Sequence, residues 1–255
     1  MQSSTASYSA PLIYVINLPE ATQRRAHVAS RLKNAALNHE MVCGVKGSEL
    51  SPEEISQAYD SRANTKHYRR ALSIGEIGCY LSHRQCWQKL LSSQHKWAVI
   101  LEDDIEIKAQ LTSLLYAIPK SINCDIVKLS DDSHCKTIAH KTLPPDFEWV
   151  TYKRIPNCTT GYIITRSGAQ KLLSRTKIYR PIDIDMQFHN ELNLKVCGIK
   201  PYPIWPSTHF ESHIDAQGRG GSRKTFTWPW RNWQYRLQLF WQRTKPSMNI
   251  ETIDQ

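Results

Sequence analysis

The stretch Trp97-Ala98-Val99-Ile100-Leu101-Glu102-Asp103-Asp104 decides how this chain reads. Five apolar residues without a break match a strand buried on both faces, as in the parallel sheets of α/β proteins. The run then stops at three acids. In open α/β sheets, ligands bind where the carboxyl ends of strands give way to loops. Carboxylates gathered in a half-enclosed cleft there are costly unless a cation neutralises them. Oxygen ligands select Mg²⁺ or Mn²⁺, which typically combine few carboxylates with substrate phosphates. The expectation is a metal–diphosphate site; the competing one is a solvated acidic loop.

Outward from this strand the pattern is strand and helix in alternation. Leu12 to Asn17 (LIYVIN) reads as a first buried strand, closed by Leu18-Pro19. The residues after Pro19 read as a helix with acid in its first turn. His39 to Val45 reads as a second strand, and Ser51-Pro52-Glu53-Glu54 as a helix start capped by serine. Ser73 to Leu91 carries Ile77, Tyr80, Leu81, Trp87, Leu90 and Leu91 on one helical face. Further strands are Asp125 to Leu129, Gly161 to Thr165 and Val196 to Ile199. Ser167 is the expected cap of a helix at Gly168 to Leu173, and Pro181-Ile182-Asp183 opens another. This alternation predicts an α/β domain with a mainly parallel sheet.

The 255 residues suffice for one large domain, and 40% hydrophobic with 22% charged residues is ordinary for a globular chain. The balance of 33 Lys and Arg against 23 Asp and Glu, net +10, favours polyanionic partners: nucleic acid, anionic lipid or phosphorylated substrates. Seven cysteines, odd in number and without a C-x-x-C pair, suggest reduced thiols in a cytoplasmic protein. The N-terminal MQSSTASYSA lacks the apolar core of a secretory signal, and no run approaches the roughly 20 apolar residues of a membrane span. Any membrane contact is then expected to be peripheral.

Several stretches together carry a resemblance. They are Val15-Ile16-Asn17-Leu18 with Arg24-Arg25; Gly75-Glu76-Ile77-Gly78-Cys79-Tyr80-Leu81-Ser82-His83 with Trp87; and Val99-Ile100-Leu101-Glu102-Asp103-Asp104. Gly161-Tyr162-Ile163-Ile164-Thr165, Gly168-Ala169, Leu172-Leu173 and Pro181-Ile182-Asp183 follow. In this order, over roughly residues 11–215, the chain resembles glycosyltransferase family 25, the bacterial lipooligosaccharide galactosyltransferases with the collagen galactosyltransferases as distant animal relatives. The resemblance implies a GT-A, Rossmann-like nucleotide-sugar-binding fold. It also implies a UDP-sugar donor (usually UDP-galactose), a divalent cation, Mn²⁺ or Mg²⁺, and an inverting transfer to a glycolipid or oligosaccharide acceptor.

Carried over residue by residue, the acidic motif falls on Glu102, Asp103 and Asp104, with Asp104 the foremost metal ligand and Asp103 beside the donor. Glu102 is a second ligand or a strand-end cap. Asn17, Arg24 and Arg25 are expected donor contacts, an arginine pairing with phosphate or uracil, although a helix face in solvent also explains each arginine. Glu76, Ser82 and His83 carry the middle motif; His83 either touches donor or supports the core. Gly75 and Gly78 would permit close approach of backbone to the donor or to a neighbouring strand. An inverting transfer needs a general base, for which Asp183 is the candidate and Asp185 the competitor; a helix cap or first-turn acid explains either. His209 is a candidate third metal ligand, and Asp131 and Asp132 a second acidic pair at a strand end.

Residues 1–10 read as a flexible tail, 11–217 as the glycosyltransferase domain and 218–255 as a basic aromatic segment. Between 218 and 245 lie seven arginines and lysines, no acid, and Trp228, Trp230, Trp233, Tyr235, Phe240 and Trp241. Such a segment suits the inner face of a bacterial inner membrane, or else packs on the domain. It would also suit nucleic acid, but no nucleic-acid motif accompanies it. Two other classes remain at this stage: a carboxylate–metal phosphodiesterase or nuclease, and a non-catalytic anion-binding module.

Overall fold

The apolar runs pair into one sheet. A computed structural model describes residues 10–119, 121–131, 134–210, 228–242 and 246–253. Its strands are β1 (Ile13–Asn17), β2 (Glu40–Cys43), β3 (Trp97–Glu102), β4 (Ile105–Ile107), β5 (Ile126–Lys128), β6 (Thr137–Leu143), β7 (Phe147–Tyr152), β8 (Gly161–Thr165), β9 (Val196–Lys200) and β10 (Ile204–Pro206). Its α-helices are α1 (Thr22–Asn34), α2 (Pro52–Ala58), α3 (Ser61–His67), α4 (Ile74–Ser92), α5 (Gln110–Ala117), α6 (Arg166–Leu173), α7 (Ile182–Gln187) and α8 (Trp228–Gln242).

Eight strands form a mixed sheet in the order β2-β1-β3-β8-β5-β9-β7-β6, while β4 and β10 form a small antiparallel pair. Six of the eight run in one direction; β8 and β7 run against it. The fold is thus α/β, Rossmann-like and of GT-A type, with a sheet mainly parallel by strand direction.

Both faces are covered, which is why the central strands are apolar throughout. On β3, Ala98 and Ile100 face a core shared with Trp87 and Leu90 of α4, while Val99 and Leu101 face one shared with Val28 and Leu32 of α1 and Leu111 and Leu114 of α5. Burial of each such side chain stabilises by about 1.5–3 kcal/mol.

Local chemistry corrects some expected boundaries. Helix α1 starts at Thr22 with no acid in its first turn, because Ala21 N–H bonds back to Leu18 and turns the chain first. Helix α6 is capped by Thr165, whose side chain accepts from Gly168 N–H, so Ser167 lies inside the helix. Ser51 and Ser73 each form a capping box with the glutamate three residues on. The β6–β7 hairpin was not evident in the sequence: β6 is an edge strand whose side chains are alternately exposed, so no apolar run marks it.

The loop after β2 lies hard against α4. A Cβ on Gly78 would stand 2.5 Å from Val45 O and 2.7 Å from Gly47 N, and one on Gly47 would meet Ile74 O at 1.9 Å. Ser82 locks the contact, its Oγ accepting from Val45 N–H at 2.8 Å and donating to Gly78 O at 2.8 Å. Gly78 therefore serves an approach of loop to helix.

Helix α7 is fixed by buried charge. Asp185, 1% exposed, accepts from Tyr80 OH at 2.7 Å and pairs with Arg175 Nε at 3.0 Å. Arg180, equally buried, forms a two-pronged pair with Glu191 at 2.8 Å on each side. Burial pushes the Glu191 carboxyl up, but Arg180 and then Arg175 outweigh it and hold it at about 2.

Replacing Gly78 by alanine is expected to overpack the α4–loop contact and cost about 1–3 kcal/mol, read as a lower urea midpoint. Glu191→Gln should cost a similar amount, about 1–3 kcal/mol, by leaving Arg180 half-paired. Because the carboxyl is depressed, its contribution is complete above the ordinary carboxylate range, about 4.3, and is lost as pH falls toward 2. Urea titrations of both proteins should show the full difference at neutral pH and convergence in acid.

Candidate active site

The carboxyl ends of β1, β2 and β3 lie together because these strands are parallel and adjacent. Asn17 closes β1 and Glu102 closes β3, so the acidic cluster opens directly beside Asn17. Asp103 is held from two sides: Asn17 Nδ2 donates to its Oδ2 at 2.7 Å, and Arg24 pairs with its Oδ1 at 3.1 Å. The same Arg24 nitrogen reaches Asp104 Oδ2 at 3.2 Å. The Phe210 ring covers the guanidinium, 5.6 Å from its centroid. Arg24 is buried whereas Arg25, one residue on, is exposed on the outer face of α1; the structure separates the two arginines.

The three acids occupy different surroundings. Glu102 Oε1 accepts from Thr159 Oγ1 at 2.6 Å and lies 3.7 Å from His83 Nε2. Burial pushes its carboxyl up, but His83 and Thr159 outweigh this and hold it below the usual range. Asp103 is 7% exposed, its oxygens occupied by Asn17 and Arg24. Asp104, the more open of the pair, is pushed up to about 6, first by burial and then by the charge of Glu102, against Arg24.

Behind Glu102 stands a polar relay inside the core. Trp87 Nε1 can only donate, so the Tyr162 oxygen accepts from it at 2.9 Å. His83 Nδ1 lies 2.9 Å from the same Tyr162 oxygen, and its other ring nitrogen faces Glu102. His83 is 1% exposed. It faces the acid from the wall of the cleft.

Two cavities meet at Glu102 and Cys79. The first is lined by Arg24, Lys46, Gly47, Gly75, Ser82, His83, Asp103 and Asp104 among others. Lys46 holds Glu20 and Glu49 at 2.9 and 3.1 Å on its rim. The second is lined by Tyr68, Arg69, Arg70, Glu76, Thr159, Thr160 and Asp183 among others. Glu76 is drawn into the Ser73 capping box and a two-pronged pair with Arg70 at 2.7 and 2.6 Å. Asp183 is half-buried and pushed up to about 6, chiefly by burial; the Ile184 N–H it accepts from at 2.8 Å opposes this, and the Glu76 charge adds to it.

Asp183 and Asp185, two residues apart on α7, thus face different surroundings: Asp183 borders the second cavity, and Asp185 is enclosed by Tyr80, Arg175 and Arg180. His209 is exposed and anchored through its backbone N–H to Ser207 Oγ; the β4–β10 pair brings its segment alongside Asp104, whose carbonyl accepts from Ser207 N–H at 2.7 Å. Asp131 is buried and accepts from Cys135 N–H at 2.6 Å, and Asp132 lies outside the described residues.

The carboxylates of Asp104 and Glu102 supply hard oxygen donors of the kind a divalent cation takes, and Asp104 is raised first by burial and then by Glu102, against Arg24. Among the described residues, Cys79, His83 and Glu102 are the group of metal-ligating side chains whose ligand atoms all lie within 4.8 Å of one another. Burial holds the Cys79 thiol well above its usual range, with Glu102 adding to the effect. It therefore stays neutral beside the carboxylate.

Sequence reasoning missed Thr159, Arg70, Lys46 and Phe210. Thr159 precedes β8 and meets Glu102 only because β8 runs antiparallel beside β3. Phe210 arrives through the β4–β10 pairing. Arg70, six residues before its partner Glu76, left no signal beyond its charge.

Known proteins resemble this chain over most of its length. The chain is 25% identical over 197 residues to a "Glycosyltransferase 25 family member" of Aedes aegypti, covering 71% of this chain and 31% of that protein. It is 24% identical over 231 residues to "Procollagen galactosyltransferase 2" of Mus musculus, covering 78% and 35%. It is 26% identical over 188 residues to the mouse "Inactive glycosyltransferase 25 family member 3", covering 68% and 30%. The chain spans about a third of the length of these curated relatives. The family description "Glycosyltransferase family 25 (LPS biosynthesis protein)" matches residues 10–187, which contain both cavities' acids, the His83 relay and Asp183, and by that match the chain belongs to glycosyltransferase family 25.

Proposed function

We propose that this protein is an inverting glycosyltransferase that moves a hexose, foremost galactose from UDP-galactose, onto an oligosaccharide or glycolipid acceptor of the lipopolysaccharide-core type. The observation that carries the reading is the junction of two cavities at Glu102, one bordered by Asp104, Arg24 and Lys46 and the other by Asp183. The first offers cations, glycine backbone and carboxylates, the chemistry a nucleoside diphosphate needs. The second offers a carboxylate whose proton affinity suits general-base work near neutral pH.

In this reading Asp104 and Glu102 would hold Mn²⁺ or Mg²⁺, and the cation would stabilise the negative charge of the departing nucleotide. Asn17 and Arg24 position the acidic segment through Asp103, and Arg24 and Lys46 receive phosphate. Ser82 and Glu76 act through their neighbours, Ser82 on the 45–47 loop and Glu76 on Arg70. His83 orients Glu102. Asp183 takes the proton of the acceptor hydroxyl as its oxygen bonds to the anomeric carbon and the bond to UDP breaks, which inverts that carbon. Asp185 keeps α7 in place rather than serving as base, since it is enclosed by two arginines and a tyrosine. Arg25 and His209 receive no role in this scheme.

UDP release, assayed with UDP-galactose, UDP-glucose and a core oligosaccharide, should be fastest with UDP-galactose. It should need added Mn²⁺ or Mg²⁺ after chelation, and NMR of the product should show a β-linkage. Asp104→Ala should lower turnover by about a hundredfold or more with an unchanged urea midpoint. Normal turnover in that variant would remove the metal role.

For Asp183→Asn, kcat should fall by about 10²–10⁴ while UDP still binds, as read by calorimetry. The base is active when deprotonated, so the wild-type rate should climb with pH through about 6 and then level off. A rate flat from acid to neutral pH would exclude Asp183 as the base.

A further inference from the structure

Among the described residues, helix α8 packs on the domain through one face. Tyr235 and Leu239 are buried against Tyr68 and Phe188, and Arg231 reaches Tyr68 O at 3.2 Å and Asn64 Oδ1 at 3.1 Å. The other face carries Trp230, Trp233, Leu237, Phe240 and Trp241, which are 61%, 56%, 42%, 62% and 62% exposed. Steps of three and four residues place these five side chains on one stripe of the helix. Exposed apolar side chains so concentrated mark an interaction surface.

Charge selects the occupant. Arg236 is exposed on the same helix, and residues 218–245 contain seven arginines and lysines and no acid in a chain of net charge +10. A second copy would bring the same positive charge against it. Trp230 and Trp233 stack on each other at 5.3 Å and Phe240 packs edge-on against Trp241 at 6.0 Å, so the rings stand in pairs on the stripe that Leu237 shares rather than as separate platforms for nucleotide bases. Tryptophan, phenylalanine and leucine among arginines are what an anionic bilayer interface accepts. No described helix is long and apolar enough to cross a membrane.

Position adds a purpose. Tyr68, which packs edge-on against Tyr235 at 5.3 Å, also lines the cavity that holds Asp183. We propose that the outer face of α8 docks on an anionic lipid bilayer and thereby sets the mouth of the Asp183 cavity beside the membrane surface, where a lipid-anchored acceptor presents its sugar. The acceptor rests on the proposed transfer activity; the docking does not.

The full chain should cosediment with vesicles containing about 40 mol% phosphatidylglycerol and much less with phosphatidylcholine alone, and high salt should weaken binding. Trp233→Ser combined with Phe240→Ser and Trp241→Ser should reduce cosedimentation by about tenfold or more, with unchanged melting and unchanged transfer to a water-soluble acceptor. Arg236→Glu, which leaves the apolar stripe intact, should weaken binding to anionic vesicles alone. Undiminished cosedimentation of the triple variant would overturn the proposal. So would a dimer by light scattering that the triple variant abolishes, or tighter binding of single-stranded DNA than of vesicles. Vesicle binding without any transfer activity would sink the catalytic reading and leave the docking surface standing.

Discussion

Asp103 joins the first strand and first helix to the end of the third strand. Asn17 reaches it from the last position of β1 and Arg24 from the first turns of α1, and both bonds are removed from solvent. Charge-assisted hydrogen bonds of this kind are shorter and stronger than neutral ones, and in a dry setting each partner left alone would be costly. Fixing Asp103 leaves the residues on either side with different surroundings. Glu102 turns toward Thr159 and His83, while Asp104 stands at the opening. The pinned acid thus stands between two others with different partners, Glu102 with Thr159 and His83, and Asp104 with a share of Arg24.

A second constraint comes from the mixed sheet. A purely parallel arrangement would place a helix-bearing crossover next to β3; instead β8 enters antiparallel between β3 and β5. Its beginning, rather than its end, lies at the site, so Thr159 and Thr160 reach Glu102 directly, the second through its carbonyl on Glu102 N–H at 3.0 Å. The same strand contributes Tyr162 one step further in, which joins Trp87 and His83 into a relay behind the acid. Buried polar groups persist only when each finds a partner, and this set supplies them in series.

Rigidity is distributed unevenly around the cavities. On one side the 45–47 loop is pressed on α4 through two glycines and Ser82. On the other, α7 is anchored by Asp185 with Tyr80 and Arg175, while Arg180 pairs with Glu191. Both devices hold backbone in place and leave Asp183 and the glycine-lined opening at the solvent boundary.

The chain's sequence by itself determined the strands β1, β2, β3, β5, β8 and β9, the long helix Ile74–Ser92 with its apolar face, the serine cap of α2, and the acidic cluster at the end of Trp97–Glu102. These depend on local apolar runs and capping chemistry, which act over a few residues and leave their pattern in order along the chain. The need for close approach at Gly78 was legible, but its partner is the 45–47 loop rather than the donor or a strand. Only the tertiary structure decided that Arg24 turns inward while Arg25 does not, that Asp183 borders a cavity while Asp185 closes a buried pair, and that Thr159 and Phe210 meet the acids at all. Each of these depends on strand order and on pairings between segments tens of residues apart, where neither spacing nor composition carries the geometry that decides which side of an element faces the cleft.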